Sequence, residues 1–262
     1  MRTVIGAVSL AGALAVGVTA CSGSAGTTPT PAASTSELSG SITVFAAASL
    51  TKTFTEIGDD FQKANPGATV TFSFAGSSDL VSQIKEGAPA SVFASADEAN
   101  MKKVIDAGLA SGTPVDFATN VLAIAVPPGN PAKITGWNDL AKPGVKVVVC
   151  APQVPCGAAT VKVEQSTGVT LHPVSEESSV TDVLGKVSSG EADAGIVYVT
   201  DVTGAGSSVE SVPFPEAAGV VNTYPIAVLK GSPNGKVADA FVEYVTGPEG
   251  QKVLNAAGFG KP

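Results

Sequence analysis

The stretch Ile42-Thr-Val-Phe-Ala-Ala-Ala-Ser-Leu-Thr51 predicts a buried strand that turns directly into a helix. Its first four residues are mostly β-branched or aromatic, as in a strand that is buried on both faces. Three alanines leave room beside the backbone, and Ser49 is well placed to cap the helix. Apolar residues follow at helical spacing, namely Leu50, Phe54, Ile57 and Phe61. Such a turn points free N–H groups and the positive end of the helix dipole outward, which favours an anion, although many such turns bind nothing.

Turns of the same kind recur three times further along the chain. Ala75-Gly-Ser-Ser-Asp79 follows a predicted strand and leads into a second helix, again with serine as the expected cap. Val154-Pro-Cys-Gly157 begins a helix in the same way, and Ser178 or Ser179 caps a helix that starts at Val180. This alternation of strands and helices predicts an α/β protein with parallel strands.

Two apolar segments, residues 120–126 and 224–229, are similar in character and suggest a pair of chain crossings between two lobes. Ligands of open α/β sheets bind beyond the carboxyl ends of the strands, which in a two-lobed protein is the cleft between the lobes. Residues 194–199 read as one strand of this set and carry Tyr198 near their end. The cleft is therefore the expected place for a ligand.

The charge balance limits the kind of ligand and how it is bound. The chain of 262 residues has 15 basic and 23 acidic residues, for a formal net charge of −8. This argues against binding nucleic acid on a broad basic surface, and against collecting anions by long-range attraction. An anion must therefore be held locally, by donors aimed at it.

The N-terminal segment predicts export and membrane anchoring rather than part of the fold. Residues 1–20 combine a charged start, an apolar run and small residues before Cys21, like a lipoprotein signal in which this cysteine is lipidated. A single membrane-spanning helix is the alternative, but the apolar run is short for that. Residues 21–40 are rich in Ser, Gly, Thr, Pro and Ala, and predict a flexible tether.

The other two cysteines, Cys150 and Cys156, close a short loop that contains two prolines. Export permits a disulfide between them, and the alternative is a pair of free buried thiols. Two cysteines and His172 are too few nitrogen and sulfur ligands for a closed zinc site.

Recognisable catalytic machinery is lacking in the sequence, so a binding protein is favoured over an enzyme. There is neither a Gly-x-Ser-x-Gly elbow nor a Walker A lysine, and His172 is the one histidine. Two alternatives from other classes are a cell-surface hydrolase that uses Ser49 or Ser77 as its nucleophile, and an adhesive surface lipoprotein.

Five short motifs occur in order along the chain, namely Ile42-Thr-Val-Phe-Ala-Ala-Ala-Ser-Leu50, Phe74-Ala-Gly-Ser-Ser78, Gly87-Ala-Pro-Ala90, Val154-Pro-Cys-Gly157 and Gly195-Ile-Val-Tyr198. Together they resemble the periplasmic molybdate-binding proteins of ABC importers, over residues 41–259. The resemblance implies the type II periplasmic-binding-protein fold: two lobes, each with a mixed sheet flanked by helices, and a double-crossing hinge. Residues 41–120 with 226–262 would form lobe I, and residues 121–225 lobe II.

In that family five residues hold the oxyanion, and the resemblance carries these roles to Ser49, Ser77, Cys156, Val180 and Tyr198. Ser78 is the near neighbour of Ser77 that the motif could be confused with. Family members carry alanine where this chain has Cys156, so this position departs from the pattern. The contact expected from Cys156 and from Val180 is a backbone N–H, which the side chain does not change.

The expected ligand fits this donor set. Molybdate is a dianion without a proton at neutral pH, so it only accepts hydrogen bonds, and hydroxyls and amides can donate them. Tungstate has nearly the same size and is expected to bind too, while sulfate or another tetrahedral oxyanion is the alternative ligand. The resemblance further implies a monomer on the extracytoplasmic face of the bacterial cell membrane. Its partners would be an ABC permease and the cytosolic ATPase of that permease, with molybdenum present only as molybdate and no cofactor.

Overall fold

The computed structural model describes residues 38–262, where strands and helices alternate as predicted. The strands are β1 (Ser39–Ala47), β2 (Gly67–Ala75), β3 (Val92–Ala94), β4 (Ala110–Val126), β5 (Val147–Cys150), β6 (Ser175–Glu177), β7 (Ala194–Tyr198), β8 (Glu210–Val212) and β9 (Val221–Leu229). The helices are α1 (Thr51–Ala64), α2 (Ser77–Lys85), α3 (Glu98–Asp106), α4 (Pro155–Thr167), α5 (Val180–Ser188), α6 (Val199–Ala205), α7 (Gly235–Thr246) and α8 (Pro248–Ala256). Short 3₁₀ turns lie at Ala48–Leu50, Trp137–Ala141, Gly206–Ser208 and Pro215–Gly219.

The strands form a mixed sheet in the order β2-β1-β3-β9-β4-β7-β5-β6, with β8 paired to β4. In the first lobe β1 is parallel to β2 and β3, and in the second lobe β5 is parallel to β6 and β7. Strand β9 is antiparallel to both β3 and β4. The predicted α/β class and two-lobed architecture are confirmed.

Strands β4 and β9 connect the two lobes as an antiparallel pair. Asn120 of β4 lies opposite Asn222 of β9, and from Leu122 onward β4 pairs with β7 of the second lobe. The sequence predicts a strand over residues 120–126, and the observed strand begins ten residues earlier, at Ala110. The earlier part of β4 is largely exposed and contains register shifts, which hides it from an apolar pattern.

Each lobe has its own apolar core. In the first lobe Phe54 and Phe61 of α1 pack edge-on against Phe241 of α7, with ring centroids 6.2 Å and 5.4 Å apart. In the second lobe Trp137 stacks on Phe214 at 5.3 Å, beside the buried valines of β5 and β7. Burial of one such ring stabilises the fold by roughly 1.5–3 kcal/mol, and the partners of these rings lie in the same lobe.

Three local predictions need correction. Ser49 is not the cap of α1, because it lies inside the 3₁₀ turn and Leu50 precedes the helix without a side-chain cap. Ser77 is the first residue of α2 rather than its cap, which is Gly76. The strand predicted over residues 194–199 ends one residue earlier, and Val199 begins α6.

Cys150 and Cys156 form a disulfide that ties the end of β5 to the first turn of α4, with 5.7 Å between their Cα atoms. The loop between them is therefore a closed ring. In residues 38–262, each helix is too short or too polar to cross a membrane. The predicted signal segment, the lipidation at Cys21 and nearly all of the tether lie outside the described residues, and β1 begins at Ser39.

Candidate functional site

A small cavity of about 10 Å³ lies where four helices begin and β7 ends. Its lining combines residues of both lobes, namely Ala47, Ala48, Ser49, Gly76, Ser77, Ala96, Val154, Pro155, Cys156, Val180 and Tyr198. All five residues that the resemblance identifies belong to this lining, although they are far apart in the sequence. Ser78 does not line the cavity.

Ser49 enters the cavity from the 3₁₀ turn between β1 and α1. Its Oγ lies 3.1 Å from the hydroxyl oxygen of Tyr224, a residue of β9. Either hydroxyl can donate in this pair, and Ser49 keeps its proton for a ligand when Tyr224 is the donor. The hydroxyl is not used for capping α1, so it can face a ligand.

Ser77 stands at the first position of α2 and is 1% exposed. Its Oγ accepts a hydrogen bond of 3.0 Å from the backbone N–H of Ala96, so its own proton can be donated elsewhere. The neighbouring Ser78 is also buried, but its Oγ has no hydrogen-bond partner within the described part of the chain. The two adjacent serines therefore have different surroundings, and one of them faces the cavity.

Cys156 and Val180 lie in the first turns of α4 and α5, where backbone N–H groups have no partner inside the helix. Ser179 caps α5 by accepting from the N–H of Asp182, as the sequence predicts for this serine. Pro155, which has no N–H, occupies the first position of α4. Both helices thus point the positive ends of their dipoles at the cavity.

Two glycines allow close backbone approach beside these turns. A Cβ on Gly76 would lie 2.0 Å from the carbonyl oxygen of Ser178, which belongs to the second lobe. A Cβ on Gly157 would lie 2.0 Å from the carbonyl oxygen of Ala151, inside the loop that the disulfide closes. Larger residues at either position require the backbone to move, because the atoms they meet are main-chain oxygens.

Tyr198 ends β7 and is 1% exposed. Its hydroxyl oxygen accepts a hydrogen bond of 3.0 Å from the side-chain amide of Asn222. Burial raises the pKa of the Tyr198 hydroxyl well above its ordinary value, with a smaller effect from Tyr224. The hydroxyl therefore keeps its proton and can donate it into the cavity.

A buried polar network behind the cavity was not found by sequence reasoning. Asn120 donates to the hydroxyl of Thr200 at 2.7 Å and to that of Tyr224 at 3.4 Å, and Tyr224 reaches Ser49. Burial raises the pKa of Tyr224 above its ordinary range, so this hydroxyl also stays protonated. One available signal was Asn120, a polar residue at the start of the apolar segment 120–126.

Asp201 adds a buried carboxyl group next to Tyr198. One of its oxygens accepts the backbone N–H of Tyr198 at 2.8 Å, which helps to end β7 and start α6. Burial raises the pKa of this carboxyl to about 7, against the lowering effect of that hydrogen bond. Asp201 does not line the small cavity.

A larger cavity of about 380 Å³ shares Ala48 and Ser49 with the small cavity. By volume it would be the first candidate for a binding site. It is lined by residues from α1, α5, α6 and α8 and by Phe259, including the exposed Lys52. None of Ser77, Cys156, Val180 and Tyr198 lines it, and two residues with carboxyl groups, Glu56 and Asp201, do. The smaller cavity is the better candidate site for an anion.

The electrostatics of the small cavity rest on neutral groups. Its lining contains hydroxyls, backbone amides and apolar side chains but neither lysine nor arginine. In residues 38–262 no group of three or more histidines, cysteines or carboxylates lies close enough together to hold a metal ion. Chemically, the arrangement can donate several hydrogen bonds to one compact acceptor.

Comparisons with known proteins agree over most of the chain. Residues 42–260 match the family described as bacterial extracellular solute-binding protein. The chain is 53% identical over 249 residues to the molybdate-binding protein ModA of Mycobacterium tuberculosis, which covers 95% of each sequence.

Two solved structures share the fold. The periplasmic molybdate-binding protein of Azotobacter vinelandii matches with a TM-score of 0.72 and 23% identity, over 84% of this chain and 99% of that one. The sulfate-binding protein SubI of Mycobacterium tuberculosis matches with a TM-score of 0.74 and 22% identity, over 84% and 86%. At these identities the two structures are evidence for the fold alone.

Proposed function

The chain belongs to the bacterial extracellular solute-binding proteins and, within them, to the relatives of the molybdate-binding proteins; on this premise we propose that it captures molybdate outside the cytoplasm for an ABC importer. Tungstate, a dianion of nearly the same size, is the expected second ligand. The importer implies a membrane permease and its ATPase as partners.

The observation that carries this proposal is the convergence of Ser49, Ser77, Cys156, Val180 and Tyr198 on one cavity. Each can present a hydrogen-bond donor: three hydroxyls and two amides from helix N-termini. A dianion without protons is matched by a site that consists of donors. We propose these five residues as the oxyanion-binding set.

The expected strength of binding follows from the number of donors. A hydrogen bond to a charged acceptor contributes roughly 1.5–3 kcal/mol, so about five of them supply roughly 8–15 kcal/mol before the costs of association. Micromolar binding corresponds to about 8 kcal/mol. Affinity in the micromolar range or tighter is therefore attainable without a cation in the site.

We further propose that the hinge opens and closes around the ligand. The cavity has about the space that one water molecule needs, and a tetrahedral oxyanion of five heavy atoms is larger. Because the lining comes from both lobes, parting them at β4 and β9 widens the cavity, and the oxyanion favours closure since only then does it meet every donor. Small-angle scattering should show a smaller radius of gyration with molybdate, and an unchanged radius contradicts the closure.

The lobe boundaries are part of the proposal: residues 41–120 with 226–262 form one lobe, and residues 121–225 the other. The grouping of buried side chains supports this division. The first lobe's core draws on residues 42–118 and on the C-terminal residues up to Phe259, and the second lobe's core draws mainly on residues 122–220.

Lipid anchoring at Cys21 is proposed from the signal-like segment before it. A doubly acylated cysteine would hold a monomeric binding protein at the outer face of the cell membrane, on a tether of residues 21–40. Mass spectrometry of the membrane fraction should show the acyl chains on a protein that starts at Cys21. Recovery of the whole protein without acylation in the soluble fraction contradicts the anchor.

Calorimetric titration tests the ligand. The purified protein is titrated with molybdate, tungstate and sulfate in separate runs, with hydrogen phosphate as the protonated control. Tight binding of molybdate and tungstate with weak sulfate binding is the expected result. Sulfate binding tighter than molybdate makes the protein a sulfate binder, and no heat with any of the three tetrahedral dianions refutes the proposal.

A further inference from the structure

We propose that the larger cavity is a second binding site, for a small organic ammonium ion whose charged group lies on Asp201 and whose hydrocarbon body fills the apolar part of the cavity. The volume of about 380 Å³ is within the range of small-molecule sites. This site is separate from the oxyanion site, although the two cavities share Ala48 and Ser49.

Asp201 supplies a buried acceptor that the fold uses only in part. The residue is 8% exposed, and one of its carboxyl oxygens accepts the backbone N–H of Tyr198 at 2.8 Å. The other oxygen has no hydrogen-bond partner in residues 38–262, and it is not one of the unpaired side-chain atoms that are fully enclosed there. Because Asp201 lines the larger cavity, this second oxygen is open to a ligand.

Three threonines on the wall of the larger cavity have already used their hydroxyl protons. Thr51 and Thr53 of α1 donate to backbone carbonyl oxygens just before them, at 2.7 Å and 3.1 Å. Thr203 of α6 does the same at 2.9 Å. A backbone carbonyl can only accept, so these protons are committed and the threonine oxygens can offer a ligand only lone pairs. The larger cavity is therefore rich in acceptors, whereas the small cavity is rich in donors.

The charged side chains of the larger cavity favour a cation. They are Lys52 and Glu56, which are exposed and one turn apart on α1, and Asp201. The charges of Lys52 and Glu56 are opposite and in contact with water, so they largely offset each other and the buried carboxyl group remains. An alkylammonium group has three N–H donors and no acceptor, which matches one carboxylate oxygen and the threonine oxygens.

The rest of the wall is apolar and suits a hydrocarbon body. Leu184 of α5, Val253 of α8 and the buried Phe259 contribute to it. A metal ion would leave this apolar surface in water, and residues 38–262 contain no group of three acidic, histidine or cysteine side chains that could hold one. The ligand class is therefore an amine with a compact hydrocarbon group.

The larger cavity lies between the two lobes, since α1 and α8 belong to the first lobe and α5 and α6 to the second. Parting the lobes separates these walls, so a bound ammonium ion favours the closed arrangement, as proposed for the oxyanion. Two ligands that favour the same arrangement raise each other's affinity by the same factor. This coupling rests on the proposed function, whereas the binding of the ammonium ion does not.

Cyclohexylmethylamine is the probe, and cyclohexylmethanol is its uncharged match of nearly the same size. Each is titrated into the ligand-free protein at pH 8 and followed by NMR. Burial raises the pKa of Asp201 to about 7, so its carboxyl group is mostly ionised at this pH, while an alkylammonium group, like that of lysine, stays protonated. The amine should bind with a Kd of about 1 mM or tighter and shift the amide signals of the residues around the larger cavity. The alcohol should bind at least about tenfold more weakly.

Three variants test the site. Asp201→Asn removes the charge but keeps an oxygen for the N–H of Tyr198, and it should weaken amine binding about 10- to 150-fold while the alcohol stays within about threefold. Asp239→Asn is the matched control, because Asp239 is exposed on α7 and lines none of the described cavities; its amine Kd should stay within about twofold of the parent value. Ala256→Leu fills the cavity from an exposed position on α8 and should weaken the amine and the alcohol alike.

The proposal is overturned if the amine does not bind at millimolar concentration, if the amine and the alcohol bind equally, or if Asp201→Asn and Asp239→Asn have the same effect. If Asp201→Asn fails to fold, Ala256→Leu decides, because an unchanged amine Kd in that variant places the amine outside the cavity.

A titration with both ligands tests the position between the lobes. Saturating molybdate should lower the amine Kd at least about threefold, and saturating amine should lower the molybdate Kd by the same factor. Unchanged values overturn the contact with both lobes. A protein that binds the amine but no oxyanion keeps this second site and loses the proposed function, so the two failures can be told apart.

Discussion

The substitution Ser77→Ala separates the contribution of one hydroxyl to binding from its contribution to folding. In the bound protein it removes one hydrogen bond to a dianion, worth roughly 1.5–3 kcal/mol, so the Kd for molybdate should rise about 10- to 150-fold. In the free protein it leaves the N–H of Ala96 without its acceptor at 3.0 Å, next to a side chain that is 1% exposed. The free energy of unfolding should therefore fall by about 1–3 kcal/mol.

Ser78→Ala is a control in the same helical turn. Ser78 is 9% exposed, and its Oγ makes no hydrogen bond within residues 38–262. Its removal should leave the Kd within about twofold, and the unfolding free energy should stay the same or rise by up to about 1 kcal/mol, since a buried unpaired hydroxyl is lost.

Calorimetric titration with molybdate and urea denaturation of the ligand-free protein measure the two effects independently. If Ser77→Ala binds molybdate as tightly as the parent protein, Ser77 is not a ligand and the reasoning fails. If instead Ser78→Ala raises the Kd for molybdate, the serine that binds the oxyanion is Ser78, one residue further along α2 than the cavity indicates.

Four other changes have expected outcomes. Ser49→Ala should raise the Kd for molybdate about 10- to 100-fold in calorimetry while the circular dichroism spectrum stays the same, and an unchanged Kd removes Ser49 from the site. Because burial raises the pKa of Asp201 from 3.8 to about 7, the folded state binds the extra proton, and the unfolding free energy should fall as pH rises from about 4 to about 7. Asp201→Asn should abolish that fall and be more stable than the parent protein at pH 8 in urea denaturation; a parallel pH profile contradicts this. Reduction of the Cys150–Cys156 disulfide should lower the unfolding free energy by about 2 kcal/mol and weaken molybdate binding, and equal urea midpoints with and without reductant contradict the first effect. Gly157→Ala places a Cβ 2.5 Å from the carbonyl oxygen of Cys150, so it should lower the melting temperature and the molybdate affinity together, whereas a parent-like melt shows that the loop can move aside.

Local sequence patterns were sufficient to find the strand-to-helix turns, because small residues and serines between an apolar strand and a helical pattern are typical of such turns. These patterns did not show which group each side chain hydrogen-bonds. Ser49 fits the rule for a helix cap, yet its hydroxyl pairs with Tyr224, a residue 175 positions away in the sequence. A contact of that range depends on the whole fold.

Local propensity and local pattern were also insufficient at two other places. Helix α6 contains valines and threonines, which favour strands, and the carboxylate of Asp201 bonded to the N–H of Tyr198 starts the helix against that preference. The positions of Asn120 and Asn222 opposite each other in β4 and β9 could not be predicted without the register of the two strands. The residues that line the small cavity were predictable from the sequence, but the groups that they hydrogen-bond were not.

The aromatic core of the first lobe has a consequence for the order of folding. Phe54 and Phe61 come from the first helix of the fold, and their partner Phe241 comes from α7 near its end. A chain that is synthesised and exported from its N-terminus delivers α7 and β9 late, so until then β3 lacks its neighbour β9 and those two rings lack Phe241. The second lobe, which is contiguous in sequence, can condense earlier. We therefore expect the first lobe to be completed last, and its unfinished form to be the stage most exposed to aggregation and proteolysis.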